Sequence, residues 1–269
     1  MPRTSTTNSW LFPPATDEVQ FDEKWSFVGK KEKHCRPGHP DDAFCGDCWD
    51  HVALDPEHRL VVSAIVGRRT GELTKELVED FHRRTQGRVM NLMTSDENPT
   101  YADAIPEVYG EEVQPERTGR RGRPPAPYKR VPEELVYATV HKVRANNRVV
   151  KVQTRLVFGT IALLAAALLV SLVSARVNTF FVERHNGSDR HRNSRKVRKT
   201  YRFSKDWEVH AAVSYFTLYS ANFCCPVRTL RVKVGRKRYR QRTPAMASGL
   251  TDHVWSIREW LTRPTAVQW

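Results

Sequence analysis

Three acids are placed so that together they could do metal chemistry: Asp22, Asp96 and Glu183. Hard divalent cations take carboxylate oxygens and keep several of their waters. A two-metal site therefore needs carboxylates converging from the ends of adjacent strands and one helix. Asp22 lies within VQFDEKWSFVG, which alternates as a strand, and Asp96 follows RVMNLM, a second strand candidate. Glu183 lies in VERHNGSDR, where a helix would put Asn186 and Arg190 on its face at i+3 and i+7, although Gly187 weakens that helix. Taken singly, an acid among 30 Asp and Glu is most simply a solvated charge or a cap. Only the constellation points to chemistry.

The elements that must position these acids follow from periodicity. From Val19 to Gly29 one face carries Val19, Phe21, Trp25 and Phe27, and the other Gln20, Asp22, Lys24 and Ser26. Glu23 falls on the apolar face and interrupts it. After a polar loop, CWDHVALD and RLVVSAIVG read as two more strands joined at Pro56-Glu57-His58. Thr70 to Arg84 is an amphipathic helix with Leu73, Leu77 and Phe81 at i, i+4 and i+8. Arg88 to Met93 is a fourth strand ending at Thr94-Ser95-Asp96, and a helix over about Thr100 to Tyr109 follows. The order βββαβα, with one acid on the first strand and another just past the fourth, is that of the ribonuclease H-like α/β fold, an order other α/β folds share. We expect an α/β chain with a ribonuclease H-like mixed sheet flanked by helices.

Two insertions are expected in it. Arg117 to Pro132 is basic and Pro-rich and cannot be regular structure, so it reads as a linker. Leu135 to Arg144 and Arg148 to Phe158 make a hairpin about Ala145-Asn146-Asn147. Trp207 to Phe223 reads as a helix with Val209, Val213, Phe216 and Leu218 apolar, and Asp252 to Leu261 as a short helix with Val254, Ile257 and Leu261 on one face. The chain thus divides into an N-terminal stub (1–18), a first catalytic part (19–116), the linker (117–132), the hairpin and glutamate-bearing region (133–223) and a basic tail (224–269).

Leu156 to Ala175 carries no charge and has the length of a bilayer span. Its first residues continue an alternating strand, however, and Gly159-Thr160 breaks and caps. Ile161 to Ser174 remains as a helix about 21 Å long, short for a membrane. Its nearly all-round apolar character suits a helix buried between sheet and helices, and we expect a buried element and no membrane partner.

The net charge is +14, from 44 Lys and Arg, and 39% of residues are hydrophobic, which excludes a wholly disordered chain and favours a polyanionic partner. Five Cys form no evenly spaced disulfide framework, which points to a reducing cytosol. MPRTSTTNSWLFPP has no apolar stretch behind its Arg, so it does not read as a secretory signal. Cys35, Cys45 and Cys48, near His34, His39 and His51, include one C-x-x-C without a second paired half, so zinc is not expected. No Gly-rich nucleotide loop or Ser-His-Asp set is evident.

DEKWSFVGKK at Asp22 to Lys31, TSDENPTY at Thr94 to Tyr101, and VERHNGSDRHR through SRKVRKTYRFSKDWEVHAAVSYFTLYSANF at Val182 to Phe223 together resemble the catalytic part of IS1-family insertion-sequence transposases. The resemblance covers most of residues 19 to 230, and the VERHN block is its most specific part. It implies a DDE enzyme of prokaryotic, nucleoid-associated cytoplasm, with Asp22, Asp96 and Glu183 as the triad and Arg190 in the basic position seven residues after the Glu. It also implies two Mg²⁺ or Mn²⁺ ions, cleavage and joining of DNA at element ends, and a homo-oligomer on DNA. The spacer from Asp96 to Glu183 is longer than compact members of the family have.

Between Arg184 and Lys205 nine Lys or Arg face one Asp. Arg190, Arg192, Arg195, Lys196, Arg198, Lys199, Arg202 and Lys205 are therefore expected to track DNA phosphates. Tyr201, Phe203 and Trp207 could stack on bases or pack on the core. Arg121 and Arg123, in Arg-Gly-Arg-Pro, resemble an AT-hook core, which also occurs in plain basic linkers. Nothing before Asp22 fits a recognition domain, so end recognition is expected from an upstream-encoded domain. Other readings of the same residues are a membrane-anchored basic protein and an inactive transposase remnant.

Overall fold

β1 (Glu18–Val28) is the strand around which the sheet is built: it pairs antiparallel with β2 (Gly46–Asp55) on one side and parallel with β4 (Leu92–Asp96) on the other. This computed structural model describes residues 16–115, 126–146 and 148–263. Arg121, Arg123, Asn147, most of the basic linker and most of the N-terminal stub lie outside them. β3 (Leu60–Gly67) closes the antiparallel meander, and α1 (Gly71–Arg84), capped by the Thr70 hydroxyl, leads to β4. After α2 (Thr100–Tyr109), β5 (Glu111–Val113) and β6 (Tyr128–Arg130) form a small ribbon. Next come β7 (Tyr137–Ala145), β8 (Arg148–Phe158), α3 (Ile161–Val170), α4 (Phe180–Arg192) and α5 (Trp207–Cys224). A second ribbon, β9 (Val232–Gly235) and β10 (Arg238–Arg240), and two short helices, α6 (Pro244–Ala247) and α7 (Ile257–Thr262), complete the described chain.

The main sheet has the order β3-β2-β1-β4-β7-β8, with β4 and β7 parallel to β1 and both ends of the order antiparallel. It is a six-stranded mixed sheet flanked by helices, compatible with a ribonuclease H-like fold. The hairpin expected as an insertion is part of this sheet, because β7 continues the parallel ladder beside β4. The fourth strand lies later than its apolar run suggested, at Leu92–Asp96, which makes Asp96 its last residue.

One face packs Val19, Phe21, Met93 and Tyr137 against Leu77, Phe81, Tyr101 and Ile105 of α1 and α2. The other face packs Val52, Leu54, Val61 and Ala64 against Val182 of α4 and Leu218 of α5. With helices on both sides, β1 cannot be apolar on one face and wet on the other. Gln20, Lys24 and Ser26, assigned to the polar face, are buried, whereas Trp25 and Phe27 are only half-buried.

Two helical expectations need correction. α3 is a helix of ten residues whose interior face is narrow: Leu163, Leu164, Ala167 and Leu168 lie on Leu92, Val136 and Ala138, and among the described residues no further layer covers it. Ile161 and Leu169 are 80% and 86% exposed, so the expected burial between sheet and helices does not occur. Among the described residues no helix is long and apolar enough to cross a membrane. α5 turns His210, Ser214, Leu218 and Asn222 inward, leaving Val209 and Phe216 toward solvent. The polar inner face serves the free edge of β3. The amides of Val61, Ala64 and Val66 donate to Asn222 Oδ1, Tyr219 Oη and Tyr215 Oη, each at 3.1 Å, so side chains stand in for a missing strand. In the tail, Trp255 and Trp260 pack on Phe223 and Phe216, while the expected apolar face of Val254, Ile257 and Leu261 is exposed.

Candidate active site

The register Gln20↔Thr94 between parallel β1 and β4 puts Asp22 and Asp96, two residues further along, on one face of the sheet. That face is the one α4 covers, because Asp22 also opposes Val52, which packs on Val182. α4 lies along β1 through a run of side-chain bonds. Gln20 Oε1 accepts from the first-turn amides of Phe181 and Val182, both at 3.1 Å, and so satisfies two donors a helix start leaves unpaired. Its Nε2 donates to the Asn178 carbonyl at 2.9 Å. One turn on, Asn186 Nδ2 donates to Asp22 Oδ2 at 2.7 Å, and further along Asp189 pairs with Lys24 and Arg190 Nη2 donates to the Trp25 carbonyl at 3.4 Å. Gly187 is accommodated inside α4, whose position this docking sets more than helix propensity does.

Glu183 comes from the first turn of α4 on the edge nearest β7. Its Oε1 accepts from Thr179 Oγ1 at 2.5 Å and forms an ion pair with Lys142 of β7. Asp22 in the middle of β1 and Asp96 at the end of β4 thus lie on neighbouring strands, with Glu183 held to one side by a lysine.

Burial, then Asp96, then Glu23 push the Asp22 carboxyl up to about 7, against the opposing effect of the Asn186 hydrogen bond. Asp96 is also raised, by burial and then Glu23, while a bond from the Asn98 amide to its Oδ1 at 3.2 Å pulls the other way. Glu23, the residue that interrupted the apolar face, lies beneath the site on the opposite side of the sheet. Asn98 Nδ2 and Arg69 Nη2 donate to its two oxygens at 2.9 and 3.0 Å. Like charges packed in a poorly hydrated place favour either a proton or a cation among them.

The donor set suits a hard divalent ion: carboxylates alone, two of them raised, with the buried Asn186 Oδ1 lacking a partner beside Asp22. Asp22 and Asp96 fit such an ion. Glu183 is of the right type but engaged by Lys142, and among the described residues no three His, Cys, Asp or Glu side chains converge closely enough to enclose a metal. Cys35, Cys45 and Cys48 are free thiols, the last buried in β2.

Of the expected phosphate contacts, Arg192, Arg198, Lys199, Arg202 and Lys205 are exposed, Arg190 and Arg195 half-buried. Lys196 is different. It is buried against Asp50 of β2, which also takes Lys24 at 2.8 Å, and Lys24 in turn pairs with Asp189; all four side chains are almost wholly inaccessible. Lys196 fastens the turn after α4 to the sheet and presents nothing to a ligand. The basic run is not one helix: α4 ends at Arg192, a 3₁₀ turn spans Ser194–Lys196, and Ser204 bridges to Val28. Phe203 packs on Phe27 with ring centroids 5.1 Å apart and the rings tilted by 31°, Arg68 lies over Trp207, and Tyr201 is 97% exposed, so of the three aromatics Tyr201 alone is free of such packing. The roles of Gln20 and Lys142, and the pairing of Lys196, expected on DNA, with Asp50 in the Lys24–Asp50–Asp189 group, were not anticipated. The adjacency of Glu23 and Lys24 to Asp22 was the one available signal.

No protein-family profile and no curated protein matches the chain. Among solved structures, a Mos1 transposase paired-end complex with left transposon end is similar at 17% identity over 32% of this chain and 30% of that one, with a TM-score of 0.21. This chain therefore spans less than a third of that transposase chain.

Proposed function

We propose that the chain is a metal-dependent phosphodiester-cleaving and strand-joining enzyme, a DDE transposase resembling the IS1 family, acting on DNA ends. The observation that carries this reading is the placement of Asp22 and Asp96 on one sheet face beneath a helix that bears Glu183 and is hydrogen-bonded to Asp22 through Asn186. Its divalent ions, Mg²⁺ or Mn²⁺, would supply Lewis-acid polarisation of the phosphodiester and of the attacking water or 3′-hydroxyl. Asp22 and Asp96 would hold them, Asn186 fixes which Asp22 oxygen is free, and Glu183 would be available to them only when not paired with Lys142. Arg198, Lys199, Arg202 and Lys205 meet the flanking backbone as point charges.

The test is cleavage and joining of a labelled DNA end in Mg²⁺ by wild type and by Glu183→Gln, which keeps shape and removes charge. Wild-type turnover with none from the variant is expected. Equal turnover would remove Glu183 from the mechanism.

A further inference from the structure

On the side of α4 away from Glu183 lies a cavity of about 280 Å³. Phe180, Arg184, Ser188 and Arg192, recurring every fourth residue of α4, form one wall, and Arg59 from the turn between β2 and β3 closes the other. Among the described residues that line it there is no carboxylate. Arg59 holds a left-handed backbone (φ 57°), its guanidinium lies 3.8 Å from the Phe181 ring centroid, and its buried Nη1 has no hydrogen-bond partner. Burial lowers the Arg59 pKa against the opposing pull of Asp55, with the like charge of Arg184 a smaller contribution in the lowering direction. A buried guanidinium N–H without an acceptor is costly, and an arginine fork matches the oxygens of a phosphate. At the rim, Phe180 leaves 58% of its surface uncovered.

We propose that this cavity binds one unpaired nucleotide, with its phosphate on Arg59 and Arg184 and its base against Phe180. The volume is at the small end of ligand pockets, about one nucleotide. Phe180 and Arg184 are one turn apart, about 6 Å along the helix, a separation that a base and its own phosphate span. The site faces away from the acids, so it does not rest on their being catalytic.

Binding is measured in EDTA at fixed salt, with a short labelled single strand, the same strand with one abasic position, blunt duplex, and a nucleoside monophosphate as competitor. Arg59→Asn removes the guanidinium and keeps a residue that accepts positive φ. It is expected to weaken the single strand and the monophosphate about tenfold and to leave duplex unchanged. Phe180→Ala is expected to weaken the intact strand about tenfold and the abasic strand little. Monophosphate binding without strand binding would assign the site to free nucleotides, and tighter strand binding to DNA. Unchanged affinity in Arg59→Asn, and in Arg184→Gln as a second variant from the opposite wall, overturns the proposal. So does an equal loss for intact and abasic strands in Phe180→Ala, which would leave an anion site without a base.

Discussion

Asn186 donates from Nδ2 to Asp22 Oδ2 at 2.7 Å, and this bond keys the helix bearing Glu183 to the middle of β1. The carboxyl it holds is pushed up to about 7, and the bond is the contribution that keeps it from rising further. Asn186→Ala should therefore raise the Asp22 pKa above that of wild type. Carboxyl ¹³C titration of the metal-free protein reads it directly, and a lower pKa in the variant would contradict the assignment.

The same shift makes a statement about stability. Asp22 holds its proton more tightly in the folded chain than at its ordinary value of 3.8, so its favourable contribution is complete below about pH 4 and is lost as pH rises through about 7. Asp96 is displaced in the same direction. Without metal, Asp22→Asn should raise Tm at pH 8 by several degrees and change little at pH 4. Thermal melts in EDTA at the two pH values decide, and a lower Tm for the variant at pH 8 would be the wrong sign.

On the proposed function, Lys142, which pairs with Glu183, and a divalent cation would compete for that carboxylate. Replacing Lys142 by Ala removes the competing ammonium and leaves Glu183 with the Thr179 hydroxyl as its partner, and Mn²⁺ should bind several-fold more tightly. Calorimetric titration measures it. Unchanged affinity would mean that Glu183 takes no part in ion binding.

Sequence reasoning located the order of the first elements along the chain, three strands, a helix, a strand and a helix, because strand alternation and helix spacing are local properties. It misjudged faces wherever a polar group is buried by tertiary pairing. Lys24 and Lys196 looked like solvent-facing cations, yet each meets a carboxylate of another element, Asp50 or Asp189, far away in sequence. The hydroxyls and amide of Tyr215, Tyr219 and Asn222 look like an indifferent helix surface until the unpaired edge of β3 is placed beside them. α3 misled in the opposite sense: apolar composition implies burial only if some element lies above it.

The buried group Lys24, Asp50, Asp189 and Lys196 is balanced in charge, and removing one member leaves an uncompensated ion in the interior. Lys24→Met should cost about 3–5 kcal/mol in denaturant unfolding. A loss below 1 kcal/mol would show that water reaches the cluster.

Ile161 and Leu169 stand out from α3 with little against them, so Ile161→Lys with Leu169→Glu should change stability by no more than about 0.5 kcal/mol per site. Ala167, buried over the sheet, should not accept Leu without a loss of about 1–3 kcal/mol. Denaturant midpoints separate the cases, and strong destabilisation by the exposed pair would mean that α3 is covered in the folded protein.

Two lysines three positions apart give the clearest contrast for nucleic-acid binding. Lys199 is exposed beside Arg198 and Arg202, whereas Lys196 is fully engaged by Asp50. A cation that neutralises a phosphate releases about one counterion, so losing it lowers the slope of log affinity against log salt by about 0.9. Lys199→Gln should show that loss on any duplex, with little change in thermal stability. Lys196→Gln should do the reverse, lowering Tm while the slope of the remaining folded protein stays at the wild-type value. Fluorescence anisotropy across a salt series, paired with melts of the same variants, measures both quantities. An intact slope in Lys199→Gln together with a reduced one in Lys196→Gln would place the phosphate-binding surface on the sheet side of the chain, opposite to the assignment made from exposure.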